Sequence, residues 1–239
     1  FDVKRDMLRG FVSQWVMLFD TSLGREVARI EEKYADHLET GAFKLKYLLD
    51  PTLPLEFGDS QAVNIQQLVD MLAAPFLANR DELVRLFRAG CVEIWVKALG
   101  GDPAATDALA QRIRDIRVRV KDHDVALFAL MHVLDPVRPL AFGPARVKSP
   151  EEIPRLVQGN AAQTGRLVSH LFSGRLAEWM RAAFPERGED VAFLERCARE
   201  HSRADADLAV FRVCCHFEPA TPIRIGVGTA STPAELAAA

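Results

Sequence analysis

Cysteine is scarce and poorly placed for metal or cross-link chemistry. Four occur in 239 residues, Cys91, Cys197, Cys214 and Cys215, with no C-x-x-C pair and no histidine at ligand spacing. That argues against a zinc site or a secreted disulfide framework and favours small buried thiols in a reducing cytoplasm. The six histidines contain no H-x-x-x-H pair, so metal-ligand spacing is missing as well. A P-loop, a dinucleotide-binding glycine pattern and a G-x-S-x-G elbow are all absent. Neither a metal nor a cofactor is therefore expected. Charge excess is lacking too. A net charge of −3 gives no global attraction to nucleic acid or to acidic membranes. The longest apolar runs, such as 125–134, are too short to span a bilayer, and no signal peptide is visible. The expectation is a cytoplasmic protein with no membrane partner, and 49% apolar residues suffice for a substantial core.

What the chain does have is repetition. Asp50-Pro51-Thr52-Leu53-Pro54-Leu55-Glu56-Phe57-Gly58 returns as Asp135-Pro136-Val137-Arg138-Pro139-Leu140-Ala141-Phe142-Gly143, and again as Glu218-Pro219-Ala220-Thr221-Pro222-Ile223-Arg224-Ile225-Gly226. The first residues of these copies lie 85 and 83 positions apart (50 to 135 to 218), a period that accommodates several helices. A second landmark keeps the same beat: Gly10, Gly90 and Gly174 each precede a tryptophan (Trp15, Trp95, Trp179) by five residues. An aliphatic residue, Val12, Val92 or Leu176, stands three before each tryptophan. Downstream of each acid-Pro pair the register runs on to Asn64, Ser149 and Thr232, all N-cap types. Pro150 and Pro233 follow two of these caps, with carboxylates at Glu152 and Glu235, which reads as an N1 proline with a capping box. Asn64 with Gln67 is a weaker version. Leu68, Ile153 and Leu236 are the expected first core contacts.

Period-3.6 patterning fills most of each unit with helix. Helices are expected over 65–72, 80–88, 91–99, from 102–103 onward, 124–134, 150–157 and 161–172. Leu109, Ile113, Ile116 and Val120 form one apolar stripe, matched by Val27, Ile30, Tyr34 and Leu38 and by Val191, Leu194 and Cys197. The last helix of each unit is apolar on most sides and should be central. It ends at the acid-Pro pair, because proline biases the preceding residue out of helix. The Pro-Leu-x-Phe-Gly piece is expected as an extended crossover, or a small edge strand, that inserts its apolar residues into the core. Glycine ahead of each tryptophan helix either ends the preceding helix as a C′ residue or allows close helix contact.

The fold expected is therefore all-α, a solenoid-like tandem array of about three units of roughly 84 residues with four to five helices each. Units fall at approximately 1–63, 64–148 and 149–231, and 232–239 opens a helix that the chain cuts short. Phe1 aligns with Asp81, already inside a unit, so the whole of 1–239 is expected to be one module excised from a longer protein. Such arrays expose extended surfaces that bind proteins. The leading expectation is a non-catalytic scaffold whose partner is a protein or another domain of the same polypeptide. All three tryptophans are expected as buried anchors between units.

Two rival readings remain. Arg112, Arg114, Arg117, Arg119 and Lys121 form the one local basic cluster, a candidate partner-binding or nucleic-acid-binding face. Asp107, Asp115 and Asp122 partly neutralise it, and no aromatics interleave to stack bases. Nucleic acid is thus the less favoured partner. The second rival is an enzyme with its site between units near His123 or His132, since Asp122-His123-Asp124 resembles a fragment of a catalytic cluster. Asp50, Asp135 and Glu218 lie one per unit and are expected to satisfy backbone donors at the proline turn rather than to converge on a substrate.

Overall fold

In a computed structural model, residues 3–219, 223–225 and 228–230 are described. The protein is mostly helical, with fourteen α-helices and three two-stranded hairpins among these residues. It divides into two compact units, Phe1–His123 and Asp124–Ala239.

The first unit opens with α1 (Val3–Leu8), α2 (Phe11–Met17), α3 (Thr21–Lys33) and α4 (Leu38–Leu49). A hairpin of β1 (Leu55–Phe57) and β2 (Ser60–Ala62) follows, then α5 (Ile65–Ala73), α6 (Arg80–Arg88), α7 (Cys91–Ala98) and α8 (Pro103–Arg119). In this unit α2 packs on α3, α4 on α1, α3 and α7, and α7 on α6 and α8. Asp102 opens α8 as expected, its carboxylate accepting from the Ala104 and Ala105 N–H groups ahead of a first-turn proline. Ile113, Ile116 and Val120 are buried, so the α8 stripe faces the core.

The second unit holds all but the first residue of α9 (His123–Leu134), then β3 (Leu140–Phe142), β4 (Ala145–Val147), α10 (Glu152–Val157), α11 (Ala161–Phe172), α12 (Arg175–Ala183), α13 (Gly188–Glu200), α14 (Ala206–Phe217), β5 (Ile223–Ile225) and β6 (Gly228–Ala230). One core gathers Leu140, Phe142, Ile153, Leu171, Trp179 and Phe211 with their neighbours. Val125–Leu127 and Ala129–Val133 of α9 are buried, in keeping with a helix apolar on most sides.

The expected crossover is instead the first strand of an antiparallel hairpin. Leu55 pairs with Ala62, Leu140 with Val147 and Ile223 with Ala230, and in the first two the register closes on a two-residue loop. Leu55, Phe57 and Ala62 point inward and are buried, as are Leu140, Phe142 and Val147. The return strand Ser60-Gln61-Ala62 carries little strand propensity of its own; the loop glycine makes it. Gly58 has φ 59° and Gly143 φ 64°, and a Cβ on either would collide with Asn79 or with the Arg166 guanidinium.

Helix ends follow the sequence closely, with one correction. The Asn64 carboxamide accepts from the Gln67 N–H at 2.8 Å, while Gln67 Oε1 accepts from the N–H of Val63, one residue ahead of the cap, at 2.8 Å. At Ser149 the box is not formed that way. Pro150 and Glu151 make a turn, α10 starts at Glu152, and the Glu152 carboxylate accepts from the Lys148 N–H at 3.0 Å. Thr232, Leu236 and the helix expected over 232–239 lie outside the described residues.

Candidate functional site

The tryptophan helices start alike and end in different environments. Gly10, Gly90 and Gly174 have φ of 66°, 80° and 82°, the left-handed C′ conformation that closes one helix before the next begins. Nothing lies within 4 Å of a Cβ built on Gly174, so conformation rather than close packing demands this glycine. Trp95 is then 0% exposed and Trp179 1%, whereas Trp15 is 60% exposed. The expectation of three buried tryptophans is corrected at the first copy. Around Trp15 on α2 lie Phe11 (49% exposed), Leu18 (79%) and Phe19 (76%). Phe11, Trp15 and Leu18 recur at i, i+4 and i+7, which puts them on one helix face. Phe19 meets Trp15 edge-on at 5.3 Å, and the Arg9 guanidinium lies over Phe11 at 6.0 Å. The inward face of α2 is separate, with Val16 and Ser13 buried and the Ser13 N–H donated to the buried Glu31 carboxylate. The signal missed in the sequence is that α2 is apolar on two faces. At the positions of Phe11 and Leu18 the second copy has Cys91 and Ala98, and the third has Arg175 and Ala182.

The basic residues of α8 do not share a face. At about 100° per residue, Arg112 and Arg119 flank one side of the buried stripe while Arg114 and Arg117 flank the other. Arg117 Nε donates to the buried Glu93 carboxylate at 2.8 Å, tying α8 to α7. Arg112 is partly buried, and loss of water lowers its affinity for a proton. Lys121 Nζ donates to the Val118 carbonyl and Arg114 reaches Gln111. The Arg88 guanidinium caps the end of α8 by donating to the carbonyls of Arg117, Val120 and Lys121, each at 2.9 Å.

His123 and His132 sit at opposite ends of α9, some 13 Å apart along the axis at about 1.5 Å per residue. His123 is exposed. His132 is 1% exposed, and neither ring nitrogen has a hydrogen-bond partner. Its ring packs against Phe128 at 4.7 Å, and burial, then the positive charges of Arg138 and His170, push its pKa down to about 4. His170 on α11 packs against Phe142 and donates Nε2–H to the Ala141 carbonyl at 3.0 Å, leaving a buried Nδ1 without a partner. Burial lowers its pKa as well. The Arg175 guanidinium lies over Phe128 at 5.6 Å, its buried Nε unpartnered. This cluster is a neutral imidazole among cations, with no carboxylate bonded to either ring that could relay a proton. At the position of His132 the first copy has Tyr47, whose hydroxyl donates to the Pro54 carbonyl at 2.6 Å.

The repeated acids do different local work. Asp50 accepts from the Thr52 N–H and hydroxyl, which hold its pKa low; Asp135 pairs with Arg138, and Glu218 with Arg155 at 2.9 Å. A cleft of about 450 Å³ opens between α11, α12 and α13, where Glu195, one of its charged groups, is already paired with Arg181. Among the described residues no group of three or more His, Cys, Asp or Glu is arranged to hold a metal ion, and no helix is long and apolar enough to cross a membrane. No protein-family model, curated protein or solved structure matches the chain.

Proposed function

We propose that the chain is a non-catalytic helical-repeat module that holds partner proteins, with units at about 1–63, 64–148 and 149–231 stacked as a solenoid in the cytoplasm. The observation that carries this reading is the exposed Phe11, Trp15, Leu18 and Phe19 face of α2. Water-exposed apolar patches of this kind mark interaction sites on proteins. Three hairpins in one register and the left-handed glycine ahead of each tryptophan helix support the repeat. The separation of His123 from His132, and the division of the basic residues between two flanks of α8, lend nothing to the enzyme or nucleic-acid readings.

The test is retention of partners by the immobilised chain, followed by reconstitution with each retained protein in pure form. A reconstituted complex supports the module. Absence of any such complex, or nucleic-acid retention that falls on charge reversal of Arg114 and Lys121, would replace it. Arg117 is left alone in that variant because reversing it would strand the buried Glu93 carboxylate.

A further inference from the structure

The face that α2 leaves open is covered by a helix in the second copy, and its leading residue meets a side chain of the preceding helix in the third. In the first unit α4 lies along α7. There the Thr40 hydroxyl donates to the Ala89 carbonyl at 3.5 Å, next to the motif glycine Gly90. In the second unit the corresponding residue of α12, Arg175, has Phe128 of α9 beneath its guanidinium. Phe11 holds this position on α2 and is exposed. Charge follows the same pattern: the Glu39 carboxylate in the first turn of α4 accepts from Arg85 of α6 at 2.8 Å. Arg5 of α1, which is ion-paired with the neighbouring Asp6, stands where Arg85 does, 80 residues earlier, as Gly10 stands to Gly90.

We propose that the outer face of α2 docks an amphipathic α-helix of a partner protein, one with a carboxylate in its first turn and an apolar stripe like that of α4. The inference rests on reading the chain as an interaction module and names the partner's chemistry. A second copy of the chain is the poorer occupant. The exposed parts of Phe11, Trp15 and Phe19 offer roughly 300–450 Å² of aromatic surface, against about 800 Å² per partner in a stable complex of two folded proteins. The i, i+4, i+7 spacing of Phe11, Trp15 and Leu18 is that of a face read by an amphipathic helix.

Trp15 is the exposed tryptophan of the three, so its emission reports occupancy. The probe is a synthetic peptide of residues 37–50, titrated against the whole chain. Saturable blue-shifted emission and protection from acrylamide are expected. The Phe11→Ser/Leu18→Ser variant, which keeps Trp15, should bind about tenfold more weakly, the scale of a lost interface anchor. A Glu39→Arg peptide should also bind weakly and recover on an Arg5→Glu chain. Absence of protection, or equal binding by the variants, overturns the proposal. So does protection of Trp15 that rises with protein concentration alone, with a dimer in sedimentation. If a reconstituted partner is held equally by the double variant, the docking face is wrong and the module reading survives. If the peptide binds as expected but no partner is ever reconstituted, the module reading fails instead.

Discussion

Trp15, Trp95 and Trp179 share a sequence position and differ in what it costs to remove them. Trp95→Ala should destabilise the protein by roughly 3–5 kcal/mol, as for other large buried aromatics, while Trp15→Ala, on a 60% exposed ring, should change stability by within about 0.5 kcal/mol. Urea unfolding of the two variants decides this, and equal losses would place Trp15 in a core. His132 sets a pH dependence whose sign follows from its environment. The folded state holds the imidazole neutral, with a pKa near 4, whereas the unfolded chain takes up the proton below about pH 6.5. Stability from this group is complete above that value and is lost as pH falls from about 6.5 to 4, by about 3 kcal/mol in all. Arg138 and His170 both oppose the proton. His132→Leu should abolish that part of the acid sensitivity and, by removing two unpartnered buried nitrogens, stabilise the protein near pH 7 by about 1 kcal/mol. Urea midpoints of both proteins from pH 4 to 7.5 measure it. The sequence shows that a histidine stands where Tyr47 stood; that neither ring nitrogen finds a bond like that of Tyr47 is visible once neighbours are in place.

Element boundaries were largely legible, since they depend on neighbours in sequence. Helices α6 and α11 start and stop where periodicity and caps put them, at Arg80–Arg88 and Ala161–Phe172. The motif glycine is a local matter as well. Gly174→Ala has room for its methyl group but not the backbone conformation, and a thermal or urea melt should show a loss of about 1–2 kcal/mol. The end of α8 is different, because its carbonyls are satisfied by Arg88 from α6. Arg88→Ala should cost about 1.5–3 kcal/mol, the range for bonds to a charged donor, and hydrogen exchange should accelerate selectively in the last turn of α8. Uniform exchange across both units would refute that local role. The hairpins were half legible: the first strand carries Leu55 and Phe57, or Leu140 and Phe142, in alternation, while the return strand gives only one buried residue, Ala62 or Val147, and is held by pairing.

At the scale of the molecule, the second unit contains a core closed among its own helices. Residues 124–239 expressed alone should unfold cooperatively in urea, with Trp179 emission blue-shifted until the transition; red-shifted emission in buffer would contradict an independent unit. The sequence by itself determined helix content, caps such as Asn64, Asp102 and Asn160, the apolar stripes and the thrice-repeated joint, because those depend on side-chain period and on residues a few positions apart. Only the tertiary structure decided which tryptophan is exposed, that Arg117 is bound to Glu93, and that His132 is buried without a partner. Each of these depends on what lies across from a residue, and burial is a property of both surfaces in a contact. A repeated sequence specifies one of those surfaces; whether α4 lies over it, or nothing does, is settled by packing.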